Sequence, residues 1–208
     1  MAPVETIFRG WLVAGLGNPE KRYERTRHNV GFDVVDELAR RWNVRDWSRR
    51  FHGWFAAAHP RDLPDGVLLL KPLTYMNLSG RAVQAVMAFH RALPARTLVI
   101  HDDMDLEFGT LRLKVGGGSA GHRGLESISA AVGPDYLRLR FGIGRPERAD
   151  AVDHVLSRFS PAERAEMELH LEKAADMVEA TLREGPQAAM NAHHKRRKAK
   201  LEEPEEPE

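Results

Sequence analysis

Six short runs of apolar or alternating residues are interleaved with stretches whose apolar side chains recur at helical spacing, and that succession constrains the fold more than any other feature of the chain. The first run, 11–16 (WLVAGL), ends in the turn signal Gly17-Asn18-Pro19. Residues 53–59 and 66–71 read as two strands with no helix between them, and 97–100 is a further apolar strand. In 110–115, Leu111, Leu113 and Val115 alternate with Arg112 and Lys114, and 136–143 alternates with Arg138 and Arg140 on one side. Val30, Val34, Leu38 and Trp42 mark a first helix. Ser79 is placed to cap a second, whose apolar set is Ala82, Val83, Val86, Met87 and Leu93. A third helical stretch ends at Val132. Ser160-Pro161-Ala162-Glu163 is a capping box opening a long helix with the stripe Met167, Leu171, Ala174, Val178 and Leu182. Strands alternating with helices predict a single α/β domain, a three-layer α/β/α sandwich around a twisted sheet. The consecutive strands within 53–71 and 97–115 predict that this sheet is mixed.

With 42% hydrophobic and 29% charged residues among 208, the chain can bury a real core, which excludes a disordered protein. There is no cysteine, hence no disulfide, thiolate metal site or cysteine nucleophile. No apolar run approaches the roughly 20 residues that span a bilayer, and the first residues lack the pattern of a secretory signal. The expectation is a soluble, cytoplasmic protein. Residues 1–194 are expected to form the domain and 195–208 a charged, disordered tail, basic in 195–200 (KRRKAK) and acidic in 202–208 (EEPEEPE). The tail cancels its own charge, and the net charge of the whole chain is only +1. A polyanion would therefore have to be met by clustered cations rather than by bulk charge.

Four loops are placed to carry chemistry: residues 15–29, 74–79, 101–105 and 116–124. The first begins like a dinucleotide fingerprint but lacks its third glycine, and Pro19 would disturb the strand–turn–helix it needs, so taken alone it reads as a Gly-Asn-Pro turn without chemistry. The glycine-rich fourth loop is a near miss for a phosphate-binding loop, because His122-Arg123 stands where Lys-Ser/Thr is needed. It is a surface loop or a substrate lid. His101-Asp102-Asp103-Met104-Asp105 reads as carboxylates for Mg²⁺, as a carboxylate orienting a histidine, or as a solvated turn. His28 is the best partner, since it stands just before a helix whose positive end favours a neutral imidazole. Arg112, Lys114, Arg138 and Arg140 would converge on one rim if their strands were neighbours, a fit for phosphate.

Taken together, GLGNPEKRYERTRHNVGF (15–32), KPLTYMNLSG (71–80), HDDMDLEFG (101–109), KVGGGSAGHRGL (114–125) and LRLRFGIGRP (137–146) resemble the bacterial-type peptidyl-tRNA hydrolase family, in order and at similar separations. The resemblance implies an enzyme that hydrolyses the ester between a peptide, or an N-blocked aminoacyl group, and the 3′-terminal ribose of tRNA, recycling tRNA after abortive translation. It implies a mixed-sheet α/β domain that works without metal; no cofactor is expected, and a monomer is the default for a single domain acting on so large a substrate. The implied partner is peptidyl-tRNA, met at its acceptor stem and 3′ end, with no membrane and no obligate protein partner.

Carried onto this chain, the resemblance makes His28 the general base and Asp102 the carboxylate that orients it. Asn18 and Asn77 become the amides that hold the substrate end and the developing oxyanion. Tyr23 and Met76 line the neighbouring pocket, and Lys114 and Arg140 clamp a tRNA phosphate. Arg123 departs from the pattern. Many family members carry Asn there, and an arginine keeps donors but has no acceptor. Two other readings stand beside this one: an inactive RNA-binding relative, and a Mg²⁺-dependent phosphohydrolase built on Asp102, Asp103 and Asp105.

Overall fold

The apolar run near the start of the chain becomes the central strand of a seven-stranded sheet. A computed structural model describes residues 7–146 and 150–192. Its elements, in chain order, are β1 (Trp11–Gly15), α1 (Val30–Arg41), β2 (Ser48–Arg50), β3 (Gly53–Ala58), β4 (Val67–Pro72), α2 (Ser79–His90), β5 (Thr97–Asp103), β6 (Leu111–Val115), α3 (Arg123–Val132), β7 (Leu137–Gly142), α4 (Ala151–Leu156) and α5 (Pro161–Glu184). The strand order is β2-β3-β4-β1-β5-β7-β6. β4, β1, β5 and β7 run parallel, while β2, β3 and β6 are antiparallel to their neighbours. The sheet is therefore mixed, as the sequence predicts.

Side chains leave β1 alternately to two cores. Val13 joins Val34, Leu38, Ile100, Leu139 and Val178 beneath α1 and α5. Leu12 and Ala14 join Val83, Val86, Val99, Leu125 and Ile128 beneath α2 and α3. Each fully buried Leu, Ile or Val contributes about 1.5–3 kcal/mol relative to exposure. α5 begins with the capping box, Ser160 Oγ accepting from the Glu163 N–H and Glu163 accepting from the Ser160 N–H.

One close approach fixes where α1 begins. A Cβ on Gly15 would lie 2.0 Å from the Gly31 carbonyl oxygen, and one on Gly31 would lie 2.4 Å from the Leu16 amide nitrogen. The first turn of α1 thus sits directly on the end of β1, and the short 3₁₀ turn Arg27–Asn29 just before it is delivered to the same end of the sheet.

The structure corrects several local expectations. Ser79 does not cap α2: Leu78 is the N-cap residue, and the Ser79 hydroxyl donates back to the Met76 carbonyl. Leu93 lies beyond the end of α2 and is exposed. β5 continues through His101, Asp102 and Asp103, all buried, so these residues are not a solvated turn. The charged tail, 195–208, lies outside the described residues.

Candidate active site

The C-terminal ends of β1, β4 and β5 lie side by side, and the loops that leave them frame a cleft of about 370 Å³. Asn18, Tyr23, His28, Met76, Asn77, Asp102 and Arg123 all line it, so the structure brings together seven of the nine residues singled out in the sequence. α4 supplies one wall through Val152 and Val155. Its six residues carry no readable stripe, and the one local mark of the helix is Asp150, whose side chain accepts from the Val152 N–H as N-cap.

At the floor, Asp102 accepts two hydrogen bonds on one oxygen. His28 Nδ1 lies 2.8 Å and His122 Nε2 3.1 Å from Asp102 Oδ1. Burial disfavours the charged carboxylate, but the two imidazoles and their hydrogen bonds outweigh it and hold Asp102 well below the usual carboxylate range. An ionised carboxylate can only accept, so His28 carries its proton on Nδ1 and turns the lone pair of Nε2 to the cleft. His101 adjoins this pair. Its Nδ1 donates to the Asp102 carbonyl at 2.8 Å, while its Nε2 is buried without a partner. Burial, then the nearness of His122, pushes its pKa down to about 3, so the ring is neutral.

The ligand atoms of His28, Asp102 and His122 lie within 4.8 Å of one another, a spacing that a metal could bridge. As folded, however, His122 Nδ1 accepts from the N–H groups of Gly124 and Leu125, which leaves its proton on Nε2. The trio thus presents two N–H donors to one carboxylate rather than three lone pairs to an ion.

Asn18 is fixed by a reciprocal pair. Its backbone N–H donates to Asn29 Oδ1 at 2.9 Å, and Asn29 Nδ2 donates to the Asn18 carbonyl at 3.0 Å. Asn18 Oδ1 accepts from the Met76 N–H at 2.9 Å. The amide oxygen is committed, and the free donors of Asn18 are on Nδ2. Asn77 is exposed at the cleft. Across the mouth, the Tyr75 hydroxyl donates to the Glu20 carboxylate and ties together the two loops that carry Asn18 and Asn77.

Lys114 and Arg140 lie outside the cleft, on the sheet edge. Cross-strand pairing sets Arg112 opposite Arg140 and Lys114 opposite Arg138, so all four cations share one face. Arg138 is a correction to the expected rim of four. It is 1% exposed, stacks on Tyr136, and donates to the carbonyls of Gly117 and Gly118, pinning the glycine-rich loop. That loop leaves β6 at the far end of the sheet and runs back to the cleft, where its residues 119–123 form part of the wall. Arg140 donates to Asp103 at 2.6 Å, and Lys114 is exposed.

The same contacts dispose of a three-carboxylate Mg²⁺ site. Asp102 is taken by two imidazoles, Asp103 by Arg140 and the Asp105 N–H, and Asp105 by Arg145. Sequence reasoning missed His122, His101, Asn29 and Arg27. For His122 one signal existed: it stands where a helix N-cap is expected, between a glycine loop and an apolar helix.

A buried carboxylate that fixes a histidine in the base tautomer, beside free amide donors in an open cleft, defines a site for hydrolysis by activated water. Comparison with known proteins is specific. The family model for peptidyl-tRNA hydrolase matches residues 12–202. Proteins named peptidyl-tRNA hydrolase from Frankia alni and Nocardia farcinica are 48% and 51% identical to this chain. These matches cover 93% and 88% of this chain, and 98% and 95% of theirs. The crystal structure of peptidyl-tRNA hydrolase from Acinetobacter baumannii superposes with a TM-score of 0.80 at 38% identity, over 90% of this chain and 95% of that one. This chain belongs to the peptidyl-tRNA hydrolase family. No helix among the described residues is long and apolar enough to cross a membrane.

Proposed function

We propose that this protein hydrolyses the ester of peptidyl-tRNA with His28 as the general base, a reading supported above all by the 2.8 Å contact of His28 Nδ1 with the ionised Asp102. His28 Nε2 takes a proton from a water molecule in the cleft. The water oxygen attacks the ester carbonyl, and the negative charge that develops on the carbonyl oxygen is met by the free amide donors of Asn18 Nδ2 and Asn77. The tetrahedral intermediate then collapses. The bond to the ribose oxygen breaks, and that oxygen receives the proton held by His28, leaving a peptide acid and a free tRNA 3′ end. An ester is reactive enough for one base, one water and an amide-lined site, with no metal or cofactor in the scheme.

Met76 and Tyr23 flank the peptide side of the cleft. Arg140 and Lys114, on adjacent strands and one face, suit a phosphate of the acceptor stem by charge and, for Arg140, by guanidinium geometry. Arg123 stands on the first turn of α3 beside His122 and offers further donors at the cleft. Such contacts position the RNA without reading its sequence. This work belongs in the cytoplasm, where translation supplies the substrate, and needs no protein partner.

The experiment is release of peptide from N-acetyl-aminoacyl-tRNA with EDTA present, using the parent and His28→Ala. The expected result is rapid release by the parent and none by the variant, with tRNA binding kept by both. Parent protein that binds tRNA without releasing peptide would instead mean an inactive RNA-binding relative. Release lost in EDTA would remove the metal-free scheme.

A further inference from the structure

Asp102 is held from two directions, and only one of them is used by the reaction above. His28 Nδ1 provides that one; the other is His122 Nε2, 3.1 Å from the same oxygen. The far side of the His122 ring decides its state. Nδ1 lies 3.1 Å from the Gly124 amide nitrogen and 3.4 Å from that of Leu125, two of the free N–H groups in the first turn of α3. A backbone N–H can only donate, so Nδ1 must present its lone pair, and the single proton of the neutral ring is on Nε2. The ring is the N-cap of α3, and it cannot turn away from Asp102 without leaving those amides unsatisfied. Its other neighbours are rings: His28 at 5.1 Å and His101, edge-on, at 5.0 Å.

We propose that His122 is a positioning residue whose tautomer is set by the start of α3, so that it donates to Asp102 and leaves that carboxylate one fixed place from which to orient His28. A helix cap thereby becomes part of the catalytic geometry. The glycine-rich loop that Arg138 pins to the sheet serves to bring this cap to the cleft. The role of His122 in turnover rests on the reading of His28 as base; its tautomer does not.

Two measurements test it. Long-range ¹H–¹⁵N spectra of the labelled protein are expected to show His122 with Nδ1 in the unprotonated range and Nε2 in the protonated range, and His28 with the reverse. Comparison with the His122→Asn spectrum assigns the His122 signals. In His122→Asn the side-chain oxygen still caps α3, since Asn is a favoured N-cap, but the side chain is too short to reach Asp102. Thermal stability should stay near that of the parent while kcat falls about tenfold and KM stays within about twofold. His122→Ala should show the same kcat loss together with a lower Tm. A His122 ring protonated on Nδ1, parent-like kcat in His122→Asn, or a change confined to KM would each overturn the proposal. If His28→Ala still releases peptide, the base assignment fails instead, while the spectra still report the His122 tautomer on their own.

Discussion

Arg27, the residue before His28, is 8% exposed and forks onto Glu163 at 2.9 and 2.7 Å, the same carboxylate that closes the capping box of α5. Its Nη1 donates to Ser157 Oγ and to the Arg158 carbonyl, and the group stacks on Phe159. The turn that carries His28 is thus bolted to the segment joining α4, a wall of the cleft, to α5. Arg27 is buried and Glu163 half-buried, so removing the carboxylate strands the guanidinium and should cost about 2–3 kcal/mol, less than the roughly 3–5 kcal/mol of a fully buried pair. Ser160→Ala, which removes a cap but keeps the pair, should cost about 1 kcal/mol. Urea denaturation of Glu163→Ala should therefore show the larger loss by a clear margin, with kcat reduced at a temperature where the variant is folded. Equal costs for the two variants would mean that the pair does nothing beyond capping.

Asp33, in the first turn of α1, gives stability an uncommon pH dependence. Burial first, and then the charge of Asp36, push its carboxyl up to about 7 against the opposing pull of Lys71 and Arg25. The folded protein holds this proton more tightly than the unfolded chain, whose carboxylate titrates near about 4. The contribution to stability is complete below about pH 4 and is lost as pH rises through 7. Asp33→Asn should be more stable than the parent by up to about 4 kcal/mol at pH 8 and nearly indistinguishable from it at pH 4. Denaturation curves at the two pH values check this, and an equal difference at both would contradict it.

What the sequence made legible was whatever has a period or a turn signal. β1 was readable because a buried parallel strand is apolar throughout, and α5 because its capping box is local. The end of β5 was hard to read because His101, Asp102 and Asp103 look like solvent-facing residues, and only tertiary partners allow them to be buried. Those partners, His122 and Arg140, are 20 or more residues away. His28, Asp102, Asn18 and Asn77 were found through family resemblance, since spacing alone could not choose one histidine among ten. Asn29 and Arg27 act by holding other residues, and nothing in a linear sequence marks that role.

The cations of β6 and β7 should separate into two kinds. Lys114 and Arg112 have no ion pair among the described residues, and Arg140 has one with Asp103, whereas Arg138 is consumed by loop carbonyls. Lys114→Ala should raise KM for peptidyl-tRNA with kcat nearly unchanged. It should also reduce the dependence of log affinity on log salt by about one unit of slope, as expected for one lost phosphate contact. Arg138→Ala should instead lower kcat and stability, because it frees the loop that presents His122. Titrating tRNA binding against salt, alongside steady-state kinetics, distinguishes the two. A parent-like salt slope in Lys114→Ala would remove Lys114 from the RNA contact.

Arg123 is the remaining variable of the site. It is exposed at the cleft beside His122, with no ion pair among the described residues, at a position where the peptidyl-tRNA hydrolase pattern often has Asn. A guanidinium cannot accept a hydrogen bond, so it cannot hold a water molecule by that water's proton; it can attract phosphate or the ester carbonyl. Its contribution should therefore fall on binding. Arg123→Ala should raise KM several-fold at low salt, with kcat within about twofold and a salt slope lower by about one unit. Arg123→Lys, which keeps the charge but loses the planar fork, should recover only part of the KM. Arg123→Asn should give up the electrostatic share of binding in the same way but restore an acceptor at the cleft, so its kcat should equal or exceed that of the parent. A fall in kcat in all three variants, with KM and salt slope unmoved, would place Arg123 in the chemical step instead of in RNA binding.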